Sequence, residues 1–262
     1  VATAAAGQRP ARIAVHLRGR GPLAVMIHGF PLDHRLWLDV LHGELAERRT
    51  LCAIDLRGHG HSPWAGDAVH TMERFADDVA AVIRALGDEP ADVCGLSMGG
   101  YVAFALHERH RERVRSLVLT NTKASADSAA QRSGRVQMAE TAAERGGRAV
   151  ADAMLPKLLA AGSDPLHRAT TRAMIEAQSP AAIVADLRGL AQRKDRRGEL
   201  ATCARPTMVI AGERDPISPP GEMQAIADAI PNARFEVIAG TAHLSPLENA
   251  AAWSSAVAKL WT

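Results

Sequence analysis

Short apolar runs alternate along this chain with longer stretches in which apolar residues recur every three or four positions. The short runs fall at 13–17, 23–28, 50–55, 92–96, 116–120, 207–211 and 234–238, most flanked by Gly, Pro or polar residues. Continuous apolar runs of this length predict strands covered on both faces, as in a parallel sheet. The intervening stretches carry helical periodicity. Residues 35–47 place Leu36, Trp37, Val40, Leu41 and Leu45 on one face. Residues 71–86 do the same with Phe75, Val79, Val82, Ile83 and Leu86, and Thr71 stands where a helix cap belongs. Strand and helix in alternation predict a doubly wound, mostly parallel α/β sheet.

The alternation stops between residues 123 and 200. Four helical runs follow one another there, at 129–145, 147–160, 165–177 and 180–193, punctuated by Gly146, Gly162, Pro165 and Pro180. The pattern divides the chain into a core, 1–122 and 201–262, and an inserted helical lid, 123–200. Met138, Met154, Leu155, Leu158 and Met174 of the lid, with Phe30 of the core, are the candidates for the wall of a pocket. Leu159 and Ile175 belong to the same apolar set, and the alternative is that these side chains pack the helices together.

Composition narrows the function classes. A chain of 262 residues, 47% hydrophobic, can bury a large core, and no apolar run is long enough for a transmembrane helix. The net charge of +2 argues against nucleic acid as a partner. The densest cationic stretch, Arg109, Arg111, Arg113 and Arg115, reads as a solvated helix end. Cys52, Cys94 and Cys203 form no C-x-x-C pair and sit in or beside apolar runs, so free thiols and a cytoplasmic location are expected. Residues 1–10 lack the apolar stretch of a signal peptide, and a cleaved leader is left open because the sequence does not begin with Met.

The chemistry concentrates in Gly95-Leu96-Ser97-Met98-Gly99-Gly100, between a predicted strand and a predicted helix. A serine in G-x-S-x-G at that junction sits on a sharp turn that lifts its hydroxyl out of the backbone. Such a hydroxyl needs a base, and the base needs an orienting acid. Asp215 follows the strand ending at 211, in a turn stiffened by Pro216, with Glu213 as its competitor. Ser218 and Pro219 read as the cap and first residue of the next helix. His243 follows the last strand, and Ser245, Pro246 and Glu248 read as a capping box that fixes its loop. An oxyanion needs backbone N–H donors. Met98 supplies one at a helix N-terminus, and Phe30, after Gly29 and before Pro31, supplies the other. His28 receives no catalytic role. Asp55, His59 and His61 suggest metal ligation, but no third histidine or cysteine stands at a convincing spacing, so neither metal nor cofactor is expected.

Together His28-Gly29-Phe30-Pro31, the 55–62 segment Asp-Leu-Arg-Gly-His-Gly-His-Ser, the Ser97 motif, Gly212 to Asp215 and Ala242-His243 resemble the α/β-hydrolase superfamily over nearly the whole chain. The chain looks most like small bacterial carboxylesterases and 3-oxoadipate enol-lactonases. The resemblance implies that the 55–62 segment is a structural loop. A serine at position 97 sets the chain apart from similar epoxide hydrolases and haloalkane dehalogenases, which use aspartate there. It implies an acyl-enzyme and a small-molecule ester or lactone substrate. The His-Gly-Phe-Pro loop favours esterase over lactonase. Cofactor-free perhydrolases and haloperoxidases share the triad. Acyl transfer to another acceptor, or ligand binding without turnover, are the readings from other classes.

Overall fold

The computed structural model describes residues 1–3 and 10–261; most of the 1–10 segment read for a leader lies outside them. Seven strands make one sheet: β1 Val15–Gly19, β2 Leu23–Ile27, β3 Thr50–Ile54, β4 Ala91–Leu96, β5 Val114–Thr120, β6 Thr207–Gly212 and β7 Arg234–Ile238. Their order is β1-β3-β2-β4-β5-β6-β7, with β1 antiparallel to β3 and every other pair parallel. Strands β2 to β6 are buried at nearly every position, as the unbroken apolar runs predict. The edge strand starts two residues later than its apolar run. Its register, Val15 opposite Ile54 through Gly19 opposite Thr50, lets it run only as far as β3 offers partners.

Helices α1 (Met72–Ala85) and α2 (Met98–Arg109) pack on each other, and α7 (Ala250–Ala258) packs on a short helical turn, Leu38–Leu41. Thr71 caps α1 as expected, its hydroxyl accepting from Arg74 N–H at 3.1 Å. The helix expected over 35–47 is instead three short turns, His34–Trp37, Leu38–Leu41 and Glu44–Glu47. Gly43 separates the last two, and glycine weakens a helix interior. The apolar face survives the breaks: the Trp37 and Trp253 rings meet at 5.3 Å, and Trp253 Nε1–H donates to Thr120 Oγ1 at 3.0 Å.

Between β5 and β6 lie three helices, α3 (Ala129–Leu158), α4 (Pro165–Ala177) and α5 (Pro180–Ala191). The two runs expected at 129–145 and 147–160 form α3, kinked at Gly146, whose φ of 70° favours glycine. The segment is tied to the core through buried polar groups. Asp186 on α5 reaches His70 Nδ1 at 2.7 Å and His59 Nε2 at 2.9 Å, with all three side chains completely buried. Gln178 donates to Asp33 Oδ2 at 3.1 Å and accepts from Gly60 N–H at 3.0 Å. Leu158 O accepts from Leu244 N–H at 3.1 Å, beside His243.

Asp186 thus carries the attachment of α5 to two core loops. Removing one member of a buried charged cluster leaves the others without partners. Asp186→Ala is expected to lower unfolding free energy by about 3–5 kcal/mol in urea titration. A loss below about 1 kcal/mol, the value of an exposed pair, would contradict this role.

Candidate active site

The strand order reverses at β2: the chain goes from β2 to β3 on one side, then crosses to β4 on the other. Crevices at the carboxyl ends of strands beside such a switch point are where open α/β sheets bind ligands. The loop of Gly29 and Phe30 follows β2, and Ser97 follows β4. Asn121 follows β5, Asp215 follows β6, and His243 follows β7.

Ser97 holds φ 54° and ψ −113°, a region side chains rarely adopt, and forms the N-cap of α2. The glycines around it are required by close approach. A β-carbon on Gly95 would strike the Gly99 carbonyl, and one on Gly99 would strike the Ile27 carbonyl. Gly100 is equally pressed by Thr122, whose hydroxyl donates to Ser97 O at 2.7 Å.

His243 Nε2 lies 2.9 Å from Ser97 Oγ, and its Nδ1 lies 2.8 Å from Asp215 Oδ2. A carboxylate accepts only, so Nδ1 carries a proton, and in the neutral imidazole Nε2 then faces the serine hydroxyl as a lone pair. Asp215 also accepts from Ser218 Oγ–H at 2.7 Å and Asn121 Nδ2–H at 2.8 Å. Burial alone would raise the Asp215 carboxyl. The His243 imidazole and these hydrogen bonds outweigh burial and hold it below the ordinary carboxylate value. Glu213 is exposed and accepts from Gly240 N–H, which removes it as the competitor.

Two local expectations are corrected. Ser218 is not a helix cap: α6 (Pro220–Ala229) begins after Pro219, and the Ser218 hydroxyl is spent on Asp215. Ser245 and Glu248 do not form a capping box. Ser245 Oγ–H donates to Asn121 Oδ1 at 2.6 Å, and Glu248 accepts from Ala242 N–H at 2.7 Å and Ala160 N–H at 2.8 Å. The glutamate still holds the backbone beside His243, but by tertiary contact.

The loop after β2 lies against the serine turn: a β-carbon on Gly29 would come 3.2 Å from Ser97 Cβ. His28 latches this loop. Its Nδ1–H donates to Gly29 O at 2.9 Å and its Nε2 accepts from Leu56 N–H at 3.0 Å. Phe30 is buried and precedes a cis bond to Pro31. Among the pocket candidates, Met174 is completely buried and Leu155 and Leu158 nearly so; all three serve packing here. Met138 and Met154 keep part of their surface.

Elsewhere, Arg109, Arg113 and Arg115 pair with Asp77, Asp88 and Asp92, so the cationic run is largely neutralised. Cys52, Cys94 and Cys203 are buried and free. The 55–62 histidines part company: His59 turns to Asp186, while Asp55 and His61 meet His16 and His34. No spacing within the loop signals that second grouping. Among the described residues no helix is long and apolar enough to cross a membrane.

This sheet, turn and site define an α/β hydrolase, and the chain belongs to that family: the alpha/beta hydrolase fold family matches residues 22–250. The chain is 32% identical to the pimeloyl-(acyl-carrier protein) methyl ester esterase of Stenotrophomonas maltophilia, over 87% of this chain and 88% of that protein. It superposes on a thermophilic esterase from Thermogutta terrifontis with TM-score 0.95 at 35% identity, covering 99% and 96% of the two chains. The enol-lactonase of Burkholderia xenovorans LB400 follows at TM-score 0.88 and 28% identity, covering 96% of each. Two local matches, 39% and 34% identical, span 39% and 40% of the relatives concerned.

Burial, with the positive charge of His59, lowers His28 from 6.5 to about 4, against the opposing pull of Gly29 O, Asp55 and Asp33. The unfolded chain therefore binds a proton that the folded chain refuses between these values. Stability from this group is complete above pH 6.5 and lost as pH falls to about 4, by about 3 kcal/mol. His28→Gln is expected to flatten the stability–pH curve in that window. An unchanged slope would remove His28 as its source.

Proposed function

We propose that the protein is a serine hydrolase that cleaves carboxylic esters of small to medium acyl groups through an acyl-enzyme on Ser97. The observation that carries this reading is the unbroken hydrogen-bonded series from Ser97 Oγ through His243 to Asp215. Ser97 attacks the ester carbonyl as His243 Nε2 takes its proton. The backbone N–H groups of Phe30 and Met98 hold the oxyanion, the second with the field of the α2 N-terminus behind it. His243 returns the proton to the leaving alcohol. Water then enters, loses a proton to the same nitrogen and releases the acid. Asp215, held ionised, keeps the imidazole in the required tautomer and stabilises its protonated form. The segment 123–200 is the proposed lid, with Met138 and Met154 its candidates for contact with an acyl chain. The esterase relatives, one a methyl ester esterase, support ester cleavage.

An enol-lactonase is the second reading, favoured by the similarity to the Burkholderia enzyme. A lactone is an internal ester, and the same steps open it with the alcohol left on the product.

Hydrolysis of p-nitrophenyl esters from acetate to octanoate distinguishes these readings. The wild-type chain is expected to favour the shorter members, and Ser97→Ala to lose about 10⁴-fold or more in kcat. Undiminished hydrolysis by Ser97→Ala would overturn the mechanism. Silence on every ester with turnover of a lactone would select the second reading. Dominant product transfer to an added alcohol or amine would select an acyltransferase.

A further inference from the structure

We propose that His16, His34, Asp55 and His61 form a binding site for a borderline divalent cation, with zinc the preferred ion. The site is separate from the serine chemistry and does not rest on it. His16 comes from the edge strand β1, His34 from the turn after β2, and Asp55 and His61 from the loop after β3. One ligating atom from each lies within 4.8 Å of all the others.

The separations from Asp55 lie near those that four-coordinate zinc demands. With bonds of 2.0–2.2 Å, ligand atoms on a tetrahedron stand about 3.4 Å apart. Asp55 Oδ2 lies 3.1 Å from His34 Nδ1, 3.2 Å from His16 Nε2 and 3.9 Å from His61 Nδ1. The carboxylate is completely buried and fixed from behind: Oδ1 accepts His34 N–H at 2.8 Å and Oδ2 accepts His61 N–H at 2.9 Å. Gly60, at φ 50°, leaves room for this; a β-carbon there would come within 2.6 Å of both carboxylate oxygens. The outer side is open, since the His61 side chain is 71% exposed and that of His16 26%.

Binding needs a lone pair on His34 Nδ1 and on His16 Nε2, which now face Asp55, so in each neutral imidazole the ring proton moves to the other nitrogen. The His16 and His34 rings now stack at 3.4 Å with 12° between their planes. They must splay so that both planes pass through the ion, and the partly exposed His16 is the ring placed to turn. Three imidazoles with one carboxylate suit zinc, cobalt or nickel and disfavour magnesium and calcium, which take oxygen ligands. An ion held here ties together the edge strand, the 55–62 loop and the turn that begins four residues after Phe30.

The test is calorimetric titration of the untagged, metal-stripped full chain with zinc and, separately, magnesium, beside His61→Ala and the double variant His16→Gln/His61→Ala. The expected result is one zinc equivalent for wild type, with a raised Tm and no magnesium uptake. His61→Ala should weaken zinc by more than about 10-fold, the least that loss of even an outer partner costs a metal site. Cobalt should give the intense visible absorption of a four-coordinate site in wild type and lose it in the double variant. Absence of zinc uptake by wild type would overturn the proposal. So would equal uptake by the wild type and a folded variant, which would put the ion elsewhere, His243 included. Should His16→Gln fail to fold, exposed His61→Ala alone decides the outcome.

Discussion

A residue with a full side chain is held at φ 54° on the turn between a buried strand and the helix that follows it. Such a conformation costs about 1–3 kcal/mol and persists only where the surroundings over-determine it. Here the surroundings are Gly95, Gly99 and Gly100, each pressed against backbone or side chain at a distance no β-carbon tolerates. Close packing of α2 onto β2 and β4 follows from those contacts. So does the placement of partly buried Ser97 beside the point where the described strand order reverses. Relieving the crowding at any of these glycines would release both the strain and the position of the Ser97 hydroxyl.

The carboxyl edge of the sheet is otherwise a set of loops, and loops bring buried polar groups that need partners. This protein answers with side chains that serve two loops at once. His28 joins the β2 loop to Leu56, and Asp55 gathers the N–H groups of His34 and His61. Asn121 accepts from Ser245 and donates to Asp215, tying the loop of the imidazole to the acid that orients it. Asp186 and Gln178 extend the same device to the helices above the edge. The relative placement of Ser97, His243 and Asp215 rests on this network more than on any one hydrogen bond.

What was legible in the sequence was what local chemistry dictates. Buried parallel strands write themselves as unbroken apolar runs, so the sheet could be listed strand by strand. The turn at Ser97 is written in glycines, and Asp215 and His243 stand just after strands. Their meeting in space, at 2.8 and 2.9 Å, follows from strand order. What stayed hidden depends on partners far along the chain. Ser218 and Ser245 look like caps because a serine before proline usually is one, yet both hydroxyls have tertiary partners. Asn121 carried one faint signal, a polar residue at the carboxyl end of an apolar run. His16 and His34 carried none, since only the pairing of β1 with β3 brings the first of them to Asp55.

The proposed roles of Ser97 as nucleophile and His243 as its base can be tested together. The most direct measurement is peptide mass spectrometry after exposure to a phosphonate ester that traps activated serines. A single adduct is expected on the peptide containing Ser97 in the wild-type chain and none in His243→Ala. An adduct on another residue, or equal labelling of Ser97 without His243, would contradict it.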